Sequence, residues 1–255
     1  MTDKAFLPGG VNPALVTPFG KDQSVDESAF RRLVRHVIND VDGLVPCGTT
    51  GEFNYLTPEE NRRLIGIAVE ESKGKPVIAG TGAPGTKQAI ELSLNARESG
   101  ARACLIVTPY FLHPSDKGIY QHYYEIAKAL PDMPIILYNI PQVVDAYLPR
   151  RVVEDLADIP NIVGLKDSSG NLTYTMEILE YAGDRINVLI GHDEVVLNGL
   201  AGGASGVILA SAQVYPVVWQ AILAAVQAGD LKRARDLQFS VQKLSRIFCR
   251  YGGGV

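Results

Sequence analysis

Lys166 stands at the inner end of the apolar run in "NIVGLKDSSG" (residues 161–170), a position where an ammonium is costly to bury without a partner. Period-two alternation puts Ile162, Gly164 and Lys166 on one face of a strand and Val163 and Leu165 on the other. Gly164, having no side chain, is expected to leave room beside the lysine stem. The same alternation in "PIILYNIP" (134–141) points Tyr138 with Ile136, one strand away from Lys166. "GTTGE" (48–52) adds the hydroxyls of Thr49 and Thr50 and two glycines that let backbone N–H groups face a ligand. In a water-poor cup a lysine's charged form is destabilised, so the neutral amine becomes available as a nucleophile. It can condense with a ketone, and the protonated imine then draws electrons from the adjacent carbon, where a bond can be made or broken through an enamine. That chemistry needs a proton shuttle, for which Tyr138 offers a phenol and Thr49 a relay hydroxyl. The competing account is structural: Lys166 reaches solvent from a strand end, and Tyr138 and the threonines serve a turn or the core. Strand geometry alone leaves both open.

The elements that must position these groups alternate from end to end. Short β-branched runs occur at 11–19, 42–48, 75–82, 103–110, 134–141, 161–167, 187–193 and 206–212, separated by longer amphipathic stretches. Most begin about 25 to 35 residues after the last, a plausible length for one βα repeat. Eight such units predict an α/β fold, a closed (β/α)8 TIM barrel, whose reactive groups lie at the carboxyl ends of the strands. Helix signals fill the gaps. "TPEENRRLIGIAVEES" has Thr57 as N-cap, Pro58 at the first helical position and Glu60 to complete a capping box. "SAFRRLVRHVIND" and "TKQAIELSLNARESG" carry apolar residues at three- and four-residue spacing. The expected organisation is a barrel catalytic domain over 1–215, then the last barrel helix and a short C-terminal helical extension over 216–255, with a break at Gly229. The ending "YGGGV" reads as a loop, as though the chain were cut short there.

Of the 255 residues 46% are hydrophobic and 20% charged, enough apolar content for a sizeable core. A net charge of −4 with no clustered Lys/Arg face argues against a nucleic-acid partner. No stretch offers the eighteen or so apolar residues of a membrane span, and the amino terminus lacks the pattern of a secretory leader. Cys47, Cys104 and Cys249 have neither disulfide nor zinc spacing. They read as reduced thiols, and the expected location is the cytoplasm.

The motifs "GTTGE" (48–52), "TPY" (108–110), "YNIP" (138–141), "GLKDSSG" (164–170) and "GHDE" (191–194), in this order and spacing, resemble the dihydrodipicolinate synthase and N-acetylneuraminate lyase family of pyruvate-dependent class I aldolases. The likeness runs from about residue 11 to residue 216. It implies a (β/α)8 barrel with a C-terminal helical extension, a homo-oligomer with a tetramer favoured, and no metal or organic cofactor. Lys166 looks like the Schiff-base lysine, Tyr138 like the acid/base and Thr49 like the hydroxyl relay. The amides of Thr49 and Thr50 look like the cradle for the pyruvate carboxylate, and Gly191 falls where the far end of the substrate is lined. Ile208, in the eighth run, is placed with the substrate-binding residues.

Two positions depart from the family members that make dihydrodipicolinate. Where those carry a second tyrosine reaching into a neighbouring subunit's site, this chain has Phe111; where they carry an arginine holding the aldehyde's carboxylate, it has Val143. "GHDE" resembles the lyase branch that holds sugar hydroxyls, with Asp193 and Glu194 as acceptors, although the pair reads equally as a cap on the next helix. The reading placed first is a carbon–carbon lyase acting on a 2-keto-3-deoxy sugar acid or related hydroxylated 2-keto acid. The alternatives are 4-hydroxy-tetrahydrodipicolinate (dihydrodipicolinate) synthase, an imine-dependent dehydratase or hydratase, and a non-catalytic barrel that binds a keto acid. Competing motifs are weaker. "GTGAPG" (80–85) fits G-x-G-x-x-G but reads as a plain βα turn, Cys47 has no paired base, and the four histidines show no metal-ligand spacing.

Overall fold

Most of the apolar β-branched runs become staves of one sheet. In the computed structural model, which describes residues 6–250, they are β1 (Gly10–Pro13), β2 (Ile78–Gly80), β3 (Ala103–Val107), β4 (Ile135–Asn139), β5 (Ile162–Asp167), β6 (Asn187–Ile190) and β7 (Gly206–Leu209). The side chain of Cys249 and the ending at 251–255 lie outside the described residues. The seven strands pair in parallel in the order β1-β7-β6-β5-β4-β3-β2, which leaves β1 and β2 as edges. The run at 42–48 closes that gap. Val45 N–H donates to Pro13 O and Leu15 N–H to Val45 O, both at 3.0 Å, while Leu44 N–H reaches Pro76 O at 3.0 Å and Ile78 N–H reaches Leu44 O at 2.8 Å. It forms bridges at Ala14↔Val45 and Leu44↔Val77 rather than a longer ladder. Pro46 has no N–H to continue it, and Cys47 turns the backbone to φ +57°. The ring is therefore a closed TIM barrel of eight staves.

The predicted runs overshoot the ladders at their carboxyl ends: the run at 103–110, for example, pairs only to Val107. The excess residues leave the sheet to build the cup. Around the ring stand α1 (Glu27–Val37), α2 (Pro58–Glu71), α3 (Thr86–Glu98), α4 (Asp116–Ala129), α5 (Pro141–Val144), α6 (Arg150–Leu156), α7 (Leu172–Ala182), α8 (Val196–Ala201), α9 (Pro216–Gln227) and α10 (Leu231–Arg250). The capping box of α2 forms as its sequence requires: Glu60 N–H donates to Thr57 Oγ1 at 3.2 Å and Thr57 N–H to Glu60 Oε2 at 2.9 Å. Gly229, at φ +75°, separates α9 from α10 in a left-handed conformation that costs glycine nothing.

Three apolar clusters hold these layers. Between ring and helices lie residues such as Phe30, Leu64, Ile135, Leu137, Ile162 and Leu165. Inside the ring lie Val45, Leu105, Ile136, Tyr138, Val163 and Ile208. Trp219, Ile222 and Val241 join α9 and α10 to β1 and β7. Strict alternation along β5 therefore fails at its start. Ile162 packs outward and Val163 inward, because the pairing with β4 shifts register between Ile135 and Ile136. A bulge of this kind adds one residue to one strand and exchanges faces beyond it.

Candidate active site

β4 and β5 are register partners at Tyr138↔Lys166, so both side chains enter the ring at the same height near its carboxyl end. Lys166 is 5% exposed and Tyr138 4% exposed. The Lys166 Nζ lies 4.1 Å from the Tyr138 ring centroid, so the phenol face partners an ammonium that would otherwise be buried alone. This rules out the reading in which Lys166 reaches bulk solvent.

Thr49 Oγ1 donates to the Tyr138 hydroxyl at 3.4 Å, a long bond that joins the second stave's loop to the pair. Thr49–Gly51 is a turn of 3-10 helix entered through Cys47 at φ +57° and left through Glu52 at φ +55°. Thr17 Oγ1 pins it by donating to Gly51 O at 2.6 Å. The N–H groups of Thr49 and Thr50 open the turn and have no acceptor among the described residues, as the first donors of a helical turn do.

Room for the lysine stem comes from Gly191, not Gly164. A Cβ on Gly191 would lie 2.7 Å from Lys166 Cε, whereas one on Gly164 would meet Pro8 at 2.8 Å and Asn187 O at 3.0 Å, further down the ring. Two residues along a strand are about 6.6 Å apart, too far for Gly164 to serve the lysine tip. Neighbouring loops brace the site. Gln142 Nε2 donates to Ser168 O at 3.0 Å and Ser169 O at 2.9 Å. The buried Asp167 carboxylate accepts from Asn139 Nδ2 at 2.9 Å, Ser169 N–H at 3.0 Å and Thr175 Oγ1 at 2.7 Å. Ile208 is fully buried in the ring interior. Gln142 carries no sequence signal of its own and Asn139 none beyond its place in "YNIP"; their partners lie at the end of β5 and just after it.

Beside Thr49 opens a cavity of about 200 Å³ whose wall includes Phe53, Asn54, Val107, Phe111 and Val143, none of them charged. Tyr110 Oη donates to Asn54 Oδ1 at 2.7 Å across it, and burial pushes the Tyr110 phenol up from its ordinary value. Phe111 has φ +74°, unusual for a bulky residue, and is 88% exposed.

Asp193 and Glu194 go elsewhere. Glu194 Oε1 accepts from Gln242 Nε2 at 3.0 Å and Arg246 Nε at 3.1 Å, both on α10. Asp193 is buried, which raises its proton affinity, and its Oδ2 accepts from Tyr215 Oη at 3.5 Å. Neither side chain caps α8. The helix-cap reading gives way, and both carboxylates accept from residues later in the chain. Cys47 is buried, and desolvation alone raises its thiol pKa far above the reactive range. In "GTGAPG" the first two glycines serve close packing: a Cβ at Gly82 would lie 2.6 Å from Val107 Cγ1, and one at Gly80 would run into the Cys47 carbonyl. Among the described residues no group of His, Cys, Asp and Glu is arranged to hold a metal ion, and no helix is long and apolar enough to cross a membrane.

Comparison with known proteins gives a consistent result. The model of the dihydrodipicolinate synthetase family matches residues 7–252. A 4-hydroxy-tetrahydrodipicolinate synthase of Nitratidesulfovibrio vulgaris is 42% identical over 240 residues, covering 93% of this chain and 82% of the relative. The crystal structure of dihydrodipicolinate synthase from Aquifex aeolicus superposes with a TM-score of 0.90 at 37% identity, over 94% of this chain and 82% of that one. The chloride-inhibited dihydrodipicolinate synthase of Acinetobacter baumannii, complexed with pyruvate, does so with a TM-score of 0.90 at 36% identity, over 94% and 83%.

Proposed function

This chain belongs to the dihydrodipicolinate synthetase family, and from that premise we propose that Lys166 is its imine-forming lysine, Tyr138 its proton carrier and Thr49 the relay between Tyr138 and the cup. The chain is a carbon–carbon lyase of the class I aldolase type, working on pyruvate. The observation that carries the assignment is the buried Lys166 Nζ held 4.1 Å from the Tyr138 ring.

The steps follow from these groups. The uncharged amine adds to C2 of pyruvate, Tyr138 gives its phenolic proton to the departing hydroxyl so that it leaves as water, and a protonated imine forms at Nζ beside the Tyr138 phenolate, which is then free to accept a proton. The unpaired amides of Thr49 and Thr50 hold the carboxylate, with Gly191 and Ile208 shaping the wall around the bound carbons. A proton leaves C3 for the Tyr138 oxygen and the electron pair becomes an enamine. The enamine carbon attacks an aldehyde, whose oxygen takes the proton back, and water releases the product from Nζ. Cleavage is the same sequence reversed.

For the aldehyde, we place 4-hydroxy-tetrahydrodipicolinate synthesis first, with aspartate semialdehyde as the partner. It is supported by the activity named for the relative from Nitratidesulfovibrio vulgaris. Cleavage of a hydroxylated 2-keto acid, the first expectation from sequence, becomes second. It leaned on Asp193 and Glu194 as hydroxyl acceptors, and both face other partners. What still favours it is the uncharged cavity with Phe111 and Val143 in its wall, which offers no fork for a carboxylate.

Borohydride reduction in the presence of pyruvate, followed by peptide mapping, is expected to fix a pyruvate-derived adduct on Lys166. Absence of an adduct would remove the imine mechanism. Parallel assays of aspartate semialdehyde condensation and of deoxy-keto sugar acid cleavage then choose the partner, and condensation is expected to dominate.

A further inference from the structure

The loop that follows β6 has two anchors. At its start Gly191 N–H donates to Asp167 O at 2.7 Å, and the Gly191 backbone packs against the Lys166 stem so closely that an added Cβ would lie 2.7 Å from Cε and 3.2 Å from Cγ. Two residues later the loop meets α10. Gln238, only 3% exposed, donates from Nε2 to Asp193 O at 2.9 Å and accepts at Oε1 from Leu197 N–H at 3.2 Å. One side-chain amide thus serves both a carbonyl and an amide that the entry to α8 leaves without backbone partners. The same Nε2 also donates to Gln242 Oε1 at 3.1 Å, and Gln242 and Arg246 in turn hold Glu194. Positions 238, 242 and 246 recur every four residues and form one face of the helix.

This polar row is not needed to dock α10. Trp219, Ile222, Leu200 and Val241 already form an apolar seam there, and an apolar side chain at 238 would add to it without the cost of burying an amide. We infer that α10 is a positioning element for the lysine site, and that Gln238, with Arg246 acting through Glu194, holds the 191–197 loop so that Gly191 fixes the course of the Lys166 side chain. The inference rests on Lys166 being the imine-forming residue. With one residue between Gly191 and Asp193, the loop has no slack to absorb a released anchor. Misplacement of a reacting group by about 1 Å can cost on the order of 100-fold in rate. The sequence pattern "GHDE" is thereby read as a docking point for a helix some forty residues downstream.

The test uses the full chain with Gln238→Met, Arg246→Met and Arg246→Lys. Three quantities are measured: the rate of borohydride-trapped adduct formation at Lys166 with pyruvate, the amide exchange of segment 191–197, and the thermal midpoint. Gln238→Met is expected to slow adduct formation by about tenfold or more and Arg246→Met by a few-fold, each with faster exchange in the segment, at a temperature well below unfolding. Arg246→Lys keeps the charge and is expected to recover most of the rate. Arg246 is exposed, so its variants fold even if Gln238→Met does not. Parental trapping rates despite faster exchange overturn the inference, because the loop then does not govern the lysine. Unchanged exchange overturns it as well, because the row then does not hold the loop. If the parent chain itself forms no adduct, the assignment of Lys166 fails, while the exchange data still judge the clamp separately.

Discussion

At the scale of single residues, the Lys166–Tyr138 pair has two separable parts. The phenyl face meets the ammonium at 4.1 Å, and the hydroxyl meets Thr49 at 3.4 Å. Tyr138→Phe keeps the first and removes the second. Turnover is therefore expected to fall by about 10² to 10⁴, the usual worth of a positioned acid/base, while the trapped adduct at Lys166 remains measurable. Steady-state kinetics beside trapping separates the effects, and parental turnover in Tyr138→Phe would relieve the phenol of its proton role. Lys166 and Tyr138 were legible in the sequence because a strand of known period fixes which residues share a face. The family likeness placed Gly191 only at the far end of the substrate; its contact with Lys166 was not legible, because that contact crosses between strands.

Elements carry their own pH dependence. His122, on α4, is 4% exposed; its Nδ1 lies 3.0 Å from Thr86 Oγ1 of α3, and its Nε2 has no partner among the described residues. Burial pulls its pKa from the ordinary 6.5 down to about 4. The folded state thus keeps the ring neutral while the unfolded chain takes up a proton below pH 6.5. The corresponding stability is whole above that value, declines as pH falls, and is exhausted near pH 4. The shift corresponds to a loss of about 3 kcal/mol across the window. Urea denaturation from pH 7.5 to 4 should show a shallower decline for His122→Gln than for the parent chain, and equal slopes would mean that the α3–α4 seam admits the charged ring. The contact with Thr86 on α3 makes His122 a packing residue of the α3–α4 seam.

On the scale of the whole molecule, closure of the ring makes the cup, and several large apolar side chains stand exposed around it. Tyr55, Phe111, Leu112 and Val143 are all exposed large side chains in the segments that follow the carboxyl ends of the strands. Together with the family likeness they support a homo-oligomer, which we propose is a tetramer, with α9 as the last barrel helix and α10 as the extension. Light scattering on the full chain is expected to give a multiple of the 27.6 kDa protomer mass. Phe111→Asp should lower that mass if the rim is an interface, because a carboxylate there would have to be desolvated. A monomeric parent would contradict the proposal.

The sequence by itself determined the barrel, the order of its staves, the capping box at Thr57 and the placement of Lys166 and Tyr138 at the ends of neighbouring strands, because all of these follow from local periodicity, capping chemistry and strand-end position. Tertiary structure alone decided four things. The second stave closes the ring through bridges on either side of it. Val163 turns inward at a bulge. Gly191 rather than Gly164 clears the lysine stem, and Asp193 and Glu194 answer to α10. Each depends on which distant segments are brought within a few ångströms of one another, and no pattern within a single strand or helix encodes that distance.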